Sequence, residues 1–333
     1  MEKHTISKSD ITASRVGLGT WSMGGFMWGA KLDEESAIET VFAALKRGVN
    51  FIDTAPVYGL GMVEEVVGKA LAMWGTRDDV YVATKCGLEW NSRGLVQRNC
   101  SKDKIQKEVD ESLRRLRTDY IDLYQVHWPD PKVPFEETAQ VLLDILQSGK
   151  IRAIGVCNFT VEQLERANLL VPLSSVQSPY NLFERHLEQD VLPFCRRNDV
   201  SFIAYGALCR GLLAGRIGAD AVFNGDDIRR IDPKFQRPRL ANYVEAYKRL
   251  DQYAQGAFEK SGMLMAVRWL MDQPGVSVAL WGARQAAQIK PVTQLLDFEM
   301  EMEPEALKEI DAILAATIKD SPFPDFMAPP ARP

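Results

Sequence analysis

The chain has 333 residues, of which 46% are hydrophobic and 26% are charged. A chain of this size can bury a substantial core, either as one large barrel-type unit or as two ordinary domains. The formal net charge is −5 and no block of Lys and Arg residues stands out, which argues against nucleic acid or an anionic membrane as a partner. The composition is therefore typical of a soluble enzyme.

The amino terminus and the cysteines indicate a cytoplasmic protein. The opening MEKHTISKSD has no apolar run behind its charges, and no window approaches about 18 uninterrupted apolar residues. The five cysteines form no CxxC pair, which fits reduced thiols. The three histidines form neither HxH nor HExxH, so we predict no metal site. We expect a monomer or a weak oligomer.

Eight short apolar runs alternate with helical patterns along the chain. These runs are RVGLG (15–19), VNFID (49–53), VYVATK (80–85), IDLYQVH (121–127), IRAIGV (151–156), SVQSPY (175–180), VSFIAYG (200–206) and VSVALWG (276–282). Between them apolar residues recur at helical spacing, and Thr160 with Gln163 has the pattern of a capping box. Eight strands alternating with helices predict an α/β fold, a (β/α)8 TIM barrel that occupies residues 1–333 as a single domain.

Three segments do not follow this alternation. Residues 1–13 alternate weakly around a polar turn, which predicts a short N-terminal hairpin. About seventy residues separate the seventh strand from the eighth, and a connection of this length is expected to be a lid over a ligand. Residues 321–333 form a Pro-rich, aromatic C-terminal tail that either dangles or packs across an opening.

Ionisable residues close several of the predicted strands. Asp53, Lys85 and His127 each end an apolar run, and Tyr58 follows in the loop after Asp53. A barrel gathers the carboxyl ends of its strands on one face, so we expect these four side chains to meet there. Asp53 and Lys85 should neutralise one another, and a cation beside Tyr58 should lower the pKa of its phenol. We predict Tyr58 as proton donor, tuned by Lys85, with His127 either bonding a substrate oxygen or relaying a proton.

A phenol acid without a metal or a nucleophilic dyad suits carbonyl reduction, for which a cofactor must supply the hydride. That cofactor is predicted to be a nicotinamide nucleotide. The stretch GLGTWSMGG after the first strand has Ser22 in place of the third glycine of a dinucleotide fingerprint, so we reject it as a pyrophosphate loop. Other residues could hold the nucleotide: Asn158 and Gln177 at the carboxamide, Tyr205 stacked on the ring, and Gly282 with Arg284 at a phosphate.

Several long motifs carry a family resemblance over almost the whole chain. They are FIDTAPVYG, VATK, YIDLYQVHWPD, GKIRAIGVCNF, QSPYNLFER and AYGALCRGLLAG. Together they strongly resemble the aldo-keto reductase superfamily, and YGALCRGLL, LWGAR and FMAPP resemble its bacterial glycerol dehydrogenase and glyceraldehyde reductase-like members.

This resemblance implies a catalytic tetrad and a cofactor site. The tetrad is Asp53, Tyr58, Lys85 and His127, and the favoured cofactor is NADP(H) rather than NADH. The implied cofactor contacts are Thr20, Trp21, Asn158, Gln177, Tyr205, Gly206, Leu208, Arg210, Gly211, Gly282, Arg284 and Gln288. Of these, Gly206, Leu208, Arg210 and Gly211 would line the pyrophosphate path, whereas Arg284 and Gln288 would reach the adenosine end.

The chain departs from the family pattern at two places. Cys157 stands where the family usually has Ser before the amide-binding Asn158, which would weaken one hydrogen bond to the carboxamide. After Gln288 the chain reads IKPV, where members commonly carry a Glu-Asn pair. The second departure affects adenine anchoring and cofactor preference.

The substrate is expected to be a small carbonyl compound or polyol. Trp21, Trp90 and Trp128 are predicted to line its pocket, and the aromatic residues of the first loop should make the mouth apolar. Two other functions stay open. One is a cofactor-binding, redox-sensing or channel-associated module with slow turnover; the other is a Schiff-base aldolase that uses Lys85, which pairing with Asp53 argues against.

Overall fold

The computed structural model describes residues 1–295, 303–322 and 324–332. Its strands are β1 (Lys3–Thr5), β2 (Thr12–Ser14), β3 (Val16–Gly19), β4 (Phe51–Asp53), β5 (Tyr81–Cys86), β6 (Leu88–Trp90), β7 (Val96–Arg98), β8 (Ile121–Val126), β9 (Ile151–Cys157), β10 (Leu173–Pro179), β11 (Ser201–Tyr205) and β12 (Val276–Gly282). Its α-helices are α1 (Glu34–Leu45), α2 (Met62–Trp74), α3 (Lys102–Leu116), α4 (Phe135–Gln147), α5 (Val161–Leu170), α6 (Val191–Arg197), α7 (Arg239–Phe258), α8 (Gly262–Asp272), α9 (Ala286–Ile289) and α10 (Pro304–Thr317).

Eight strands close into an all-parallel barrel, in the order β3, β4, β5, β8, β9, β10, β11 and β12. They are the eight apolar runs of the sequence, so the predicted (β/α)8 barrel is confirmed. The predicted capping box is also present, because the Thr160 hydroxyl accepts from the Gln163 amide while the Gln163 side chain accepts from the Thr160 amide.

The bottom of the barrel is sealed by the N-terminal hairpin. Strands β1 and β2 pair antiparallel, and Ile6 and Ile11 at its turn are fully buried against Phe51 and other inward residues of the barrel. Gly17 on β3 is required by this packing, since a Cβ there would lie 2.8 Å from Leu280 and 2.9 Å from Phe51. Chemistry is thereby confined to the opposite end of the barrel, where the strands finish.

The long connection between β11 and β12 contains α7 and α8 and a segment that crosses toward the first loop of the barrel. The carboxylate of Asp226 accepts from the backbone amides of Met27 at 2.8 Å and Gly29 at 3.1 Å. The Ile228 amide donates to the Met27 carbonyl at 2.9 Å. The segment therefore joins two sides of the barrel mouth, as a lid would.

The described part of the C-terminal tail packs across the opening rather than dangling. The Pro330 carbonyl accepts from the Arg98 amide at 2.9 Å beside a parallel bridge between Arg98 and Ala331. At the other side of the mouth, the Ser321 hydroxyl donates to the Phe183 carbonyl at 2.9 Å. Of the predicted tail, residues 323 and 333 lie outside the described residues. No helix in the described ranges is long and apolar enough to cross a membrane.

Candidate active site

The predicted tetrad is assembled at the carboxyl ends of β4, β5 and β8. The Lys85 ammonium lies 2.8 and 2.9 Å from the two carboxylate oxygens of Asp53, and 2.9 Å from the Thr54 carbonyl. Its fourth neighbour is the phenolic oxygen of Tyr58 at 3.2 Å. All of these side chains are buried. Both oxygens of the Asp53 carboxylate contact the buried Lys85 ammonium, and this attraction offsets the cost of removing the ammonium from water.

The pKa of Tyr58 is the main correction to the sequence prediction. Burial raises the pKa of the phenol well above its ordinary value, and the adjacent Lys85 charge only partly offsets that rise. The expected lowering is therefore wrong in its net direction, although Lys85 acts with the predicted sign. Burial lowers the pKa of Lys85, but the Asp53 charge, the neighbouring Tyr58 and Cys157 and the hydrogen bond to Asp53 together outweigh it, and the net pKa is raised. The phenol stays protonated and the amine stays charged at neutral pH.

His127 lies edge-on to Tyr58, with ring centroids 5.8 Å apart and an interplanar angle of 81°. Burial, followed by the Lys85 charge, holds the pKa of the imidazole well below its ordinary value. The ring is therefore neutral at physiological pH and can offer one N–H to a nearby oxygen.

The residues predicted to bind the carboxamide form hydrogen bonds with members of the tetrad. Gln177 Nε2 donates to Asp53 Oδ1 at 2.7 Å, and Asn158 Nδ2 donates to the His127 carbonyl at 3.0 Å. The Tyr205 hydroxyl donates to Asn158 Oδ1 at 3.0 Å. Asn158 adopts a φ of 61°, a left-handed conformation that Asn tolerates better than most residues. The three side chains therefore form one polar rim beside the phenol.

Cys157 is buried near the charges of Lys85 and Asp53. Burial raises the pKa of its thiol despite the nearby Lys85 charge. The group therefore remains a neutral S–H, which is a weaker donor than the hydroxyl of a serine.

The structure places Thr20 behind the site rather than on its wall. Both its amide and its hydroxyl donate to the Asp53 carbonyl, at 3.1 and 2.9 Å, and its side chain is fully buried. Thr20 is absent from the described lining of the cavity. Thr20 thus fixes the strand end that carries Asp53.

A cavity of about 730 Å³ opens above the tetrad. Trp21 and Trp128 line it as predicted, together with Trp28, which packs edge-on to Trp21 at a centroid distance of 5.2 Å. Trp90 differs from its prediction and is not part of the described wall. It lies on β6 with the Lys104 ammonium 5.9 Å from its ring centroid, so it faces α3 rather than the pocket.

Most of the other predicted cofactor contacts line the same cavity. They are Gly206, Leu208, Arg210, Gly211, Gly282, Arg284 and Gln288. Gln288 Oε1 accepts from the amides of Arg284 at 2.7 Å and Gln285 at 3.1 Å. It therefore caps the short helix α9, and only its amide nitrogen is left for a ligand.

Arg210, which was predicted to line the pyrophosphate path, forms ion pairs within a buried charge cluster. Its guanidinium lies 2.5 Å from Glu184 and 2.6 Å from Asp232, and Lys234 contacts the same two carboxylates at 2.9 and 3.1 Å. The two cations hold the pKa of Glu184 at about 2, although burial alone would raise it. Phe326 of the tail lies 5.7 Å from the Arg210 guanidinium. This pairing makes Arg210 a scaffold residue in the present arrangement.

Sequence reasoning did not single out three arginines of the wall, and it left open whether the tail packs across the opening. Arg93, Arg216 and Arg229 line the cavity, as do Phe326 and Met327 of the tail. Arg216 follows AYGALCRGLLAG by only one residue, so a basic residue just after that motif was an available signal. Arg93 lies in the turn between β6 and β7, and nothing in the local sequence indicates which way that turn folds.

Comparisons with known proteins agree with this architecture. The profile of the Aldo/keto reductase family matches residues 15–315. The chain is 49% identical over 332 residues to the aldo-keto reductase YhdN of Bacillus subtilis, covering 100% of this chain and 99% of that protein. It is 33% identical to the NADH-specific methylglyoxal reductase of Escherichia coli, covering 90% of this chain and 95% of that protein.

Solved structures show the same likeness. The glycerol dehydrogenase AKR11B4 of Gluconobacter oxydans is 44% identical with a TM-score of 0.87, over 98% of this chain and 99% of that chain. The holo form of the aldo-keto reductase AKR11C1 of Bacillus halodurans is 27% identical with a TM-score of 0.79, over 94% and 96%. The chain described here belongs to the aldo/keto reductase family, and is an oxidoreductase of carbonyl and alcohol groups.

Proposed function

We propose that the protein is an NADPH-dependent reductase that converts aldehydes or ketones to alcohols reversibly, with Tyr58 as the proton donor. The observation that carries this proposal is the unbroken chain from Asp53 through Lys85 to the Tyr58 phenol, at 2.8 and 3.2 Å, at the floor of an aromatic cavity. A protonated phenol beside a fixed cation is suited to give a proton to a carbonyl oxygen as that oxygen becomes negative.

The residues present fit a nicotinamide nucleotide. Gln177 donates through Nε2 to Asp53, and its Oε1 has no hydrogen-bond partner in the described chain, so that oxygen can accept from a carboxamide NH2. Asn158 keeps one N–H and one lone pair, and Tyr205 offers a ring face to the same cavity. When bound, the reduced nicotinamide supplies a hydride to the carbonyl carbon.

The protein's own groups handle the proton and the charge. Tyr58 bonds the carbonyl oxygen and transfers its proton, which leaves a phenolate 3.2 Å from the Lys85 ammonium. That ammonium stabilises the new negative charge, and Asp53 keeps it protonated and in place. The neutral ring of His127 is positioned to donate a second hydrogen bond to the same oxygen. Trp21 and Trp128 line the cavity beside these groups.

The preference for NADPH rests on Arg284 and Arg216. Both guanidinium groups line the cavity and lack a salt bridge or side-chain hydrogen bond with any described residue, so a phosphate would find two unpaired cations there. Asp227, which could compete for a ribose diol, is already paired with Arg229 at 2.6 Å. Relatives of this chain differ in preference, since the Escherichia coli protein is NADH-specific and a 31% identical protein of Schizosaccharomyces pombe is named with NADP(+).

The two alternative functions have less support. An aldolase needs a neutral lysine, whereas the Asp53 charge raises the pKa of Lys85. A module that binds the cofactor without turnover would not need a proton donor beneath an open cavity, and Tyr58 lies there.

The test is one titration with two steps. Tryptophan fluorescence of the purified protein is followed during addition of NADPH and, separately, NADH, and an aldehyde panel that begins with glyceraldehyde is then added while absorbance of the reduced nicotinamide is recorded. We expect quenching at lower concentration of NADPH, followed by its oxidation. Tyr58→Phe is the matched control, because it should keep the quenching and lose turnover by about 10²–10⁴-fold. Quenching without turnover on any aldehyde would favour the binding module.

A further inference from the structure

The cavity wall carries a charge opposite to that of the whole chain. The chain has 45 acidic and 40 basic residues, yet two aspartates and five arginines line the described cavity: Arg93, Arg210, Arg216, Arg229 and Arg284. Asp53 is neutralised by Lys85, whereas Asp226 accepts from two backbone amides and keeps its charge. A concave wall with an excess of cations concentrates anions.

Internal pairing accounts for only two of these arginines. Arg210 is bound by Glu184 and Asp232, and Arg229 is bound by Asp227 at 2.6 Å. Arg93, Arg216 and Arg284 form no ion pair or side-chain hydrogen bond with any residue whose side chain the structure describes.

These three arginines come from different parts of the chain. Arg216 and Arg284 follow β11 and β12, and the proposed function assigns both to cofactor phosphates. Arg93 lies in the turn between β6 and β7, where the neighbouring wall residues Leu88 and Val96 are apolar. The proposed cofactor contacts therefore leave Arg93 without a role.

The turn that carries Arg93 is fixed in place. Asn91 Oδ1 accepts from the amides of Arg93 at 2.9 Å and Leu95 at 3.2 Å. The Gly94 amide donates to the Asn91 carbonyl at 2.9 Å. Gly94 lies against Leu60 and Phe26, such that a Cβ there would be 3.8 Å from each. Leu60 is two residues from Tyr58, so the turn is held near the reacting end of the cavity.

We propose that Arg93 binds an anionic group of the substrate, and that the preferred substrates are aldehydes or ketones bearing a carboxylate or a phosphate monoester. This inference rests on the proposed reductase function. A guanidinium offers a planar pair of N–H donors that matches either anion. Trp21 and Trp128 in the same wall lower the local dielectric and contact the body of the substrate. An acid group on Arg93 would thus orient the carbonyl toward Tyr58.

The test compares an acid with its neutral ester. Values of kcat/KM are measured with NADPH for 4-carboxybenzaldehyde and methyl 4-formylbenzoate, on the wild type, Arg93→Gln and the control Arg197→Gln, whose exposed side chain is on α6. We expect the wild type to prefer the acid by about tenfold or more. Arg93→Gln should abolish that preference through KM and leave the ester unchanged, and Arg197→Gln should behave as wild type. Glyceraldehyde 3-phosphate against glyceraldehyde distinguishes a phosphate from a carboxylate preference.

Equal kcat/KM for acid and ester in the wild type, with no change in Arg93→Gln for either anion, would overturn the assignment. Failure of the proposed function has a different signature, namely no oxidation of NADPH with any aldehyde, charged or neutral. In that case the binding of benzoate and of benzamide to the wild type and to Arg93→Gln is compared by calorimetry. This comparison tests the contact between Arg93 and an anion without catalysis. Weaker benzoate binding in Arg93→Gln supports it, and identical isotherms reject it.

Discussion

The Lys85 ammonium lies 3.2 Å from the Tyr58 hydroxyl and 2.8 Å from a carboxylate oxygen of Asp53. The Lys85 ammonium thus lies between the Asp53 carboxylate, which is always negative, and the Tyr58 hydroxyl, which becomes negative when it gives up its proton. Burial disfavours the phenolate and the Lys85 charge favours it, and burial has the larger effect on the pKa of Tyr58. The ground state therefore holds the proton, and the charge-stabilising partner is already in position for its transfer.

The two reaction directions should depend differently on pH. Reduction needs a protonated Tyr58 and a neutral His127. The pKa of the Tyr58 phenol is raised and that of the His127 imidazole is lowered. Both groups therefore keep the required form between about pH 6.5 and 9. We expect kcat/KM for reduction to be flat over this interval. Oxidation needs the phenolate as base, so its kcat/KM should rise through the interval without a plateau. A reduction rate that titrates near pH 7 would contradict the assigned state of His127.

Removal of Lys85 should affect stability as well as rate. Lys85→Met leaves the Asp53 carboxylate buried with Gln177 and without its cation, which should cost about 3–5 kcal/mol in the free energy of unfolding. The double variant Asp53→Asn/Lys85→Met removes both charges and should recover part of that loss, as measured by urea denaturation. Neither variant should regain activity, because the phenolate of Tyr58 has lost its counter-charge. Equal stability of the single and double variants would argue against a tight ion pair.

Cofactor selectivity should divide between the two unpaired arginines assigned to cofactor phosphates. If Arg284 holds the 2′-phosphate, Arg284→Ala should weaken NADPH binding by about tenfold and leave NADH nearly unchanged. Arg216 follows the predicted pyrophosphate path, so Arg216→Ala should weaken both nucleotides by similar factors. Fluorescence titration with each nucleotide measures these effects, and Arg197→Ala is the surface control. Equal losses of NADPH and NADH in Arg284→Ala would remove that residue from the 2′-phosphate.

The strands and the position of the site could be predicted because both depend on local sequence. Apolar runs of strand length alternate with helical periods, and parallel strands of a barrel must finish on one face. Asp53 and Lys85 therefore meet wherever their strands are neighbours, as β4 and β5 are. The capping box at Thr160 is local in the same way.

The remaining features depend on partners that are distant in sequence. Arg210 is neutralised by Glu184 and Asp232, 26 and 22 residues away in the sequence. No sequence pattern near Arg210 predicts that pairing. The direction in which Trp90 points depends on how the β6–β7 hairpin leans against α3. The pKa of Tyr58 is decided by how completely its surroundings exclude water, which is a property of the packed molecule.

Glu108 gives a stability prediction that is separate from catalysis. Its side chain is buried on α3, where Oε2 accepts from the Gly87 amide at 2.8 Å and Oε1 lies 3.3 Å from the Lys104 ammonium. Burial raises the pKa of this carboxyl to about 7, and the Lys104 charge offsets only part of that rise. The folded protein therefore binds this proton more tightly than the unfolded chain does, in which the pKa is near its ordinary value of about 4.3.

The sign of the pH effect follows from that difference. The stabilisation due to the protonated carboxyl is complete below the unfolded pKa and is lost as pH rises through about 7. Glu108→Gln, which keeps an acceptor for Gly87 and cannot ionise, should therefore gain relative stability between about pH 4.5 and 8, on the order of 3 kcal/mol. Urea denaturation at both pH values measures this gain. Glu165→Gln on α5, where the side chain is exposed, should show none; equal behaviour of the two variants would mean that folding does not raise the pKa of Glu108.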